Sequence, residues 1–165
     1  MRILGIDPGT AITGFGVIDR MGNRLLPQDF GVIRTPSDME MPNRLTIIYR
    51  ELINIIRKYQ PEAIAVEQLF FNRNVTTAIS VGQARGVVLL AAAQLELAIA
   101  EYTPLQVKQA VVGFGTAEKK QVQEMVRILL NLESIPRPDD AADALAIAIC
   151  HAHSCTGRNL DWRCR

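Results

Sequence analysis

The sequence predicts a single α/β domain built on a mixed sheet. Three observations predict it. Three strand-like segments follow one another at the N-terminus, helix-like and strand-like segments alternate after them, and two short apolar runs each end in an acid, Asp7 and Glu67. A chain of 165 residues can bury most of its unfolded surface around one core.

The first strand reads as central. Ile3, Leu4 and Ile6 make a near-continuous apolar run up to Asp7, the pattern of a strand covered on both faces. Pro8-Gly9 suits the middle of a tight turn, because Pro presets φ and Gly tolerates φ > 0. Residues from Thr13 read as the returning strand of a hairpin. Gly14 and Gly16, two apart, leave one face of it bare to a closely approaching backbone. Residues 24–35 complete a meander, bent at Pro27. Residues 43–59 carry Leu45, Ile48, Leu52, Ile55 and Ile56 at helical spacing. A second short buried strand covers 63–67, followed by a loop at 68–74 with two adjacent aromatics.

A long helix over 75–96 is rich in small residues and apolar around most of its circumference, and a fifth strand covers 97–102. That helix is either wholly internal to one chain or open to close approach by a second copy. Thr103-Pro104 caps and opens a short helix through Val112. Gly113-Phe114-Gly115 reads as a hinge-like loop, and Thr116 caps a helix bearing Val122, Met125, Val126, Leu129 and Leu130. After a Pro-punctuated connection at 134–138 the last helix runs from Asp139 to about His153. The domain is expected over 1–154, with a disordered tail at 155–165.

Lys and Arg number 18 against 17 Asp and Glu, so no overall basic field announces a nucleic-acid partner, and local charge has to carry that argument. Asp7 interrupts any signal-peptide core, and the apolar region 86–100 is broken by Gln94 and Glu96. A spanning helix needs roughly 20 uninterrupted apolar residues, so a soluble protein is expected. Cys150, Cys155 and Cys164 form no disulfide-like framework, which suits a reducing cytoplasm. Cys150, His151, His153 and Cys155 invite a zinc reading but lack paired C-x-x-C spacing and fall at a helix end.

The acids carry the chemistry. Acids are almost never fully buried without a partner, so two apolar strands ending in Asp7 and Glu67 point to one shared polar site. Asp7 alone also reads as a turn-initiating residue before Pro8. If the strands are parallel neighbours, both acids enter the crevice at the strand carboxyl ends. Asp140 and Asp143 add two more at i, i+3 in the first turn of a helix kept thin by Ala141, Ala142, Ala144, Ala146 and Ala148. Asp139 or Asp140 also suits an N-cap after Pro138, a role that leaves Asp143 unexplained. Four clustered carboxylates protonate unless a cation neutralises them. Oxygen ligands without a Cys or imidazole cluster suit Mg²⁺ or Mn²⁺, and two such ions about 4 Å apart support in-line phosphoryl displacement.

Five motifs in order, Ile-Asp-Pro-Gly-Thr at 6–10, Val-Glu-Gln-Leu-Phe at 66–70, Gly-Gln-Ala-Arg-Gly at 82–86, Val-Lys-Gln-Ala-Val-Val-Gly at 107–113 and Asp-Ala-Ala-Asp-Ala-Leu-Ala at 140–146, resemble the RuvC Holliday-junction resolvases. The resemblance implies a ribonuclease H-like fold, a five-stranded mixed sheet flanked by helices. It implies Mg²⁺-dependent cleavage of four-way DNA junctions by a homodimer, with two symmetric nicks leaving 5′-phosphate and 3′-hydroxyl ends. The RuvA–RuvB branch-migration machine is the implied partner. Asp7, Glu67, Asp140 and Asp143 take the metal-binding and catalytic roles. Phe70 is the implied base-stacking aromatic, against a core role that suits Phe71 better. Arg73, Lys108, Lys119 and Lys120 are the candidate phosphate contacts, with Lys108 and Lys119 favoured by their motifs.

Two other readings compete. The Asp-x-Gly-Thr hairpin also resembles that of sugar kinases and Hsp70-like ATPases, which grip ATP between two lobes, and a chain of one-domain length has no second lobe. A junction-binding relative without chemistry is the other, and the presence of all four acids argues against it.

Overall fold

Strand β1 (Arg2–Asp7) lies at the centre of a five-stranded sheet of order β3-β2-β1-β4-β5, with β2 at Ile12–Met21, β3 at Arg24–Arg34, β4 at Ala63–Glu67 and β5 at Ala98–Tyr102. A computed structural model describes residues 1–68 and 75–155. β1, β2 and β3 form an antiparallel meander, and β4 and β5 extend β1 in parallel, so the sheet is mixed. The register shift between Val17 and Ile18 falls where Pro27 interrupts β3, because Pro lacks the N–H that would continue the ladder.

Alternation along the strands sorts side chains onto two faces. Leu4, Ile6, Val17, Ile64 and Val66 point to one face, where they pack against α1 (Met41–Tyr59) and α2 (Val75–Gln94) through Ile48, Leu52, Ile56, Ala84, Val88 and Ala91. Ile3, Ile18 and Ala65 point to the other, under α5 (Asp139–Ser154), with α3 (Pro104–Val112) and α4 (Lys119–Leu129) outside it. Nearly every residue of α5 from Ala141 to Ala152 is buried.

Glycines let α5 lie that close. A Cβ at Gly14 would stand 2.0 Å from the Asp140 carbonyl oxygen, and one at Gly16 2.7 Å from Leu145 Cδ2. The bare face expected from Gly14 and Gly16 is therefore the seat of α5. Gly5 is a third contact of the same kind, 2.1 Å from the Ala144 carbonyl oxygen, and the alanines of α5 are its other half.

One local expectation is corrected. Glu118, not Thr116, is the N-cap of α4, and its N–H donates to Gln121 Oε1 at 2.8 Å. Thr116 is exposed in the preceding turn, whereas the next residue, Ala117, is buried and ties that turn to the core. The 113–115 segment lies in the loop between α3 and α4, as its glycines suggest. Gly113 closes α3 in the left-handed region at φ 95°, and a Cβ at Gly115 would stand 2.1 Å from Leu105 Cδ1. Thr103 caps α3 as expected: its hydroxyl accepts from the Gln106 N–H at 3.1 Å, and Gln106 Oε1 accepts from the Thr103 N–H at 2.8 Å.

Candidate active site

β1 and β4 run parallel, with Ile6 opposite Val66, so Asp7 and Glu67 leave the sheet side by side at its carboxyl end. Both follow the alternation that points Gly5 and Ala65 toward α5. The hairpin behind Asp7 is tightly held. Thr13 Oγ1 donates to the Gly9 carbonyl at 2.6 Å, and a Cβ at Gly9 would stand 2.3 Å from the Ile12 carbonyl oxygen. Asp7 pairs with Gly14 across the ladder, and Gly14 is where the Asp140 backbone touches the sheet. The first two turns of α5 therefore bring Asp140 and Asp143 to the same end of the sheet. Neither Asp139 nor Asp140 caps the helix: Pro138 occupies that position and Asp139 is its first residue.

The carboxylates feel one another. Burial first, then Glu67, Asp143 and Asp140, push the Asp7 carboxyl up to about 7, with Lys119 opposing. Burial and Asp143 raise Glu67 against the same lysine. Asp143 is also raised, chiefly by burial, against its own hydrogen bond to Lys119. Ionising Asp7 among these neighbours costs on the order of 4 kcal/mol.

A cleft of about 290 Å³ opens here, lined by Asp7, Glu67, Asp143, Lys108 and Lys119 over an apolar floor that includes Val107, Val122 and Ile147. Lys108 and Lys119, two of the candidate phosphate contacts, thus line the same cleft as the acids. Lys120, exposed on α4, is not among the described residues lining the cleft. Phe70 and Arg73 lie outside the described residues, as does the tail from residue 156.

The donor set fits a hard divalent cation: several carboxylate oxygens, held ionised only at a cost, at the end of a rigid sheet. Among the described residues no three acid, His or Cys side chains are already drawn together as a closed ligand cage. A protein cation sits among them instead. Lys119 Nζ donates to Asp143 Oδ2 at 2.9 Å and lies 3.5 Å from Asp139 Oδ2. Its ammonium stands in for the positive charge the acids require.

Asp139 is a residue whose part the sequence reading missed. Its carboxyl would rise on burial, but Lys119, Gln123 and Arg137 outweigh burial and hold it below its ordinary range. The i, i+4 spacing of Asp139 and Asp143 on one helix face was the available signal. Cys150 and His151 of α5 are buried and take packing roles. Cys150 is buried over the Gln106 carbonyl, and His151 Nδ1 is 2.8 Å from Tyr102 Oη. Burial, then the Arg20 charge, lower His151 to about 4. His153 turns to the Ala110 carbonyl.

A central parallel strand pair ending in acids, an antiparallel meander and an acid-bearing helix laid on glycines define a ribonuclease H-like fold with its acidic site in the usual crevice of an open sheet. The chain belongs to the RuvC family: residues 3–151 match the family described as crossover junction endodeoxyribonuclease RuvC. It is 66% identical over 154 residues to the crossover junction endodeoxyribonuclease RuvC of Desulfitobacterium hafniense, covering 93% of each chain. The structure of Thermus thermophilus RuvC is similar at a TM-score of 0.86 and 39% identity, covering 93% of this chain and 94% of that one. The same organism's RuvC in complex with a Holliday junction substrate is similar at a TM-score of 0.85 and 37% identity, with the same coverage.

Proposed function

We propose that the chain resolves four-way DNA junctions as a divalent-metal-dependent endodeoxyribonuclease, with Asp7, Glu67, Asp140 and Asp143 holding the metal. Membership of the RuvC family supports the junction as substrate. The observation that carries the site is the convergence of Asp7, Glu67 and Asp143 on one cleft, with Asp140 outside the described lining but near enough to help drive Asp7 up to about 7. Bound divalent ions, two Mg²⁺ in this reading with Mn²⁺ able to substitute, supply the Lewis acidity that activates water and stabilises the leaving oxygen. The chain's own residues do the rest. The four carboxylates fix the charge that draws cations, and the apolar floor limits water at the reacting phosphate. Lys108 and Lys119 line the cleft and suit phosphate contacts. Arg73 and Lys120 extend that basic contact, and Phe70 stacks on an unpaired base.

Two symmetric nicks giving 5′-phosphate and 3′-hydroxyl ends require two equivalent sites, so the chain acts as a homodimer. The outer face of α2 supports this: Ile79 and Leu90 are more than half exposed, and where a Cβ would stand at Gly86 there is nothing within 4 Å. These three share one helix face at i, i+7 and i+11. The partner machine is RuvA–RuvB and the compartment the cytoplasm. Among the described residues no helix is long and apolar enough to cross a membrane. Residues 1–154 form the nuclease domain, with 155–165 as an appended tail.

The direct test incubates the protein with a four-way junction and with linear duplex of the same sequence, in Mg²⁺ and in EDTA. Paired nicks of the junction in Mg²⁺ alone are expected. Cleavage in EDTA, or equal cleavage of duplex, would defeat the proposal.

A further inference from the structure

Lys119 sits in a double seat beside the acid cleft. Asp139 and Asp143 are one helical turn apart on α5, and both reach the same ammonium, at 3.5 and 2.9 Å. The two seats differ. Asp143 lines the cleft with Asp7 and Glu67, whereas Asp139 is not among the described lining residues. The other oxygen of Asp139 is tied to Arg137 Nη1 at 2.5 Å. The buried Gln123 amide also lies against Asp139, although its Nε2 has no hydrogen-bond partner in good geometry among the described residues.

The geometry points to Asp139 as a positioning residue that takes over the Lys119 ammonium when Asp143 turns to a divalent cation. This inference rests on the metal-dependent reading above. An ammonium and a divalent ion repel strongly at one carboxylate, so cation entry requires Lys119 to leave Asp143. With Asp139 next to it, the flexible lysine stem needs only a short swing to keep a counter-charge. Arg137 keeps Asp139 oriented and offsets its negative charge, so Asp139 holds the lysine while contributing little of its own to cation binding. Lys119 then stays at the edge of the cleft, where a phosphate would meet it.

The test uses the full chain with Mn²⁺ as probe, reading free Mn²⁺ by electron paramagnetic resonance, so that no cleavage is needed. Asp139→Asn is expected to weaken Mn²⁺ binding about three- to fivefold, the worth of one part-exposed ion pair, and Asp139→Glu to restore it. Lys119→Met removes the internal competitor and should tighten binding. In the Lys119→Met background, Asp139→Asn should change it by less than about twofold, because the coupling has lost its carrier. Equal weakening by Asp139→Asn with and without Lys119 would show that Asp139 acts on the cation directly and would overturn the proposal, as would no weakening at all. Absence of Mn²⁺ binding by the unaltered, folded chain would instead overturn the metal-site reading on which it stands.

Discussion

Asp7→Asn should abolish cleavage and also stabilise the metal-free protein at neutral and alkaline pH. The folded state raises the Asp7 carboxyl from 3.8 to about 7, first by burial and then by its acidic neighbours. The native state therefore holds a proton that the unfolded chain releases between those values. Stability falls as pH rises through that window, and the full cost is present above pH 7. Asn is the neutral isostere of the protonated acid, so the two proteins should match near pH 4 and diverge above it. The upper bound on the gain is about 4 kcal/mol, and rearrangement of Lys119 reduces it. A gain of about 2–4 kcal/mol corresponds to roughly 5–15 °C in a domain of this size. His151 titrates in the opposite sense: lowered to about 4, it contributes stability that is lost as pH falls from 6.5. The decisive quantity is therefore the difference between the two proteins, measured by thermal unfolding in EDTA from pH 4 to 8. Adding Mg²⁺ should narrow the gap by stabilising the unaltered protein more than the variant. A variant less stable at pH 8, or a gap independent of pH, would refute the electrostatic account of the site.

Gly14→Ala should cost about 2–3 kcal/mol, the range of overpacking against backbone. It should also depress cleavage of the folded fraction, because the new methyl meets the Asp140 carbonyl and shifts the turn bearing Asp140 and Asp143; normal activity per folded molecule would sink this. Ca²⁺ should support junction binding in a gel-shift assay with little cleavage, since it fills oxygen sites with longer bonds and looser geometry than Mg²⁺, and full turnover in Ca²⁺ would count against the metal chemistry proposed. Leu90→Arg should leave the monomer folded by circular dichroism and shift sedimentation toward monomer, because Leu90 is 53% exposed on α2; an unchanged dimer would place the interface elsewhere. A mixed dimer of unaltered and Asp7→Asn chains should nick one strand of an immobile junction, and two cuts per binding event would exclude one site per subunit.

Local pattern made much of the site legible. Apolar runs closing on Asp7 and Glu67 marked buried strands whose last residues had to share a polar environment, and the parallel pairing of β1 with β4 brings them side by side. The i, i+3 pair in an alanine-rich helix marked a helix thin enough to lie on a sheet. Gly14 and Gly16 marked the strand face that receives it. The Thr103 cap and the bend at Pro27 also follow from neighbouring residues alone. Glu118 was missed because Thr is a favoured N-cap residue and Glu is not, whereas the helix begins two residues beyond Thr116.

Element types and their order, the places of the acids along the chain and the family motifs are readable from residue order, because periodicity, turn chemistry and motif order are properties of near neighbours along the chain. Which groups face one another across the fold depends on packing between distant segments. Gly5 became a seat for α5 because strand alternation and the sheet order put it opposite Ala144, a residue far along the chain. Lys119 became the partner of Asp139 and Asp143 because packing of α4 against α5 brings its stem to the cleft. The upward shift of Asp7 exists only once burial removes water and three other acids close in, an energy that no stretch of residues carries on its own.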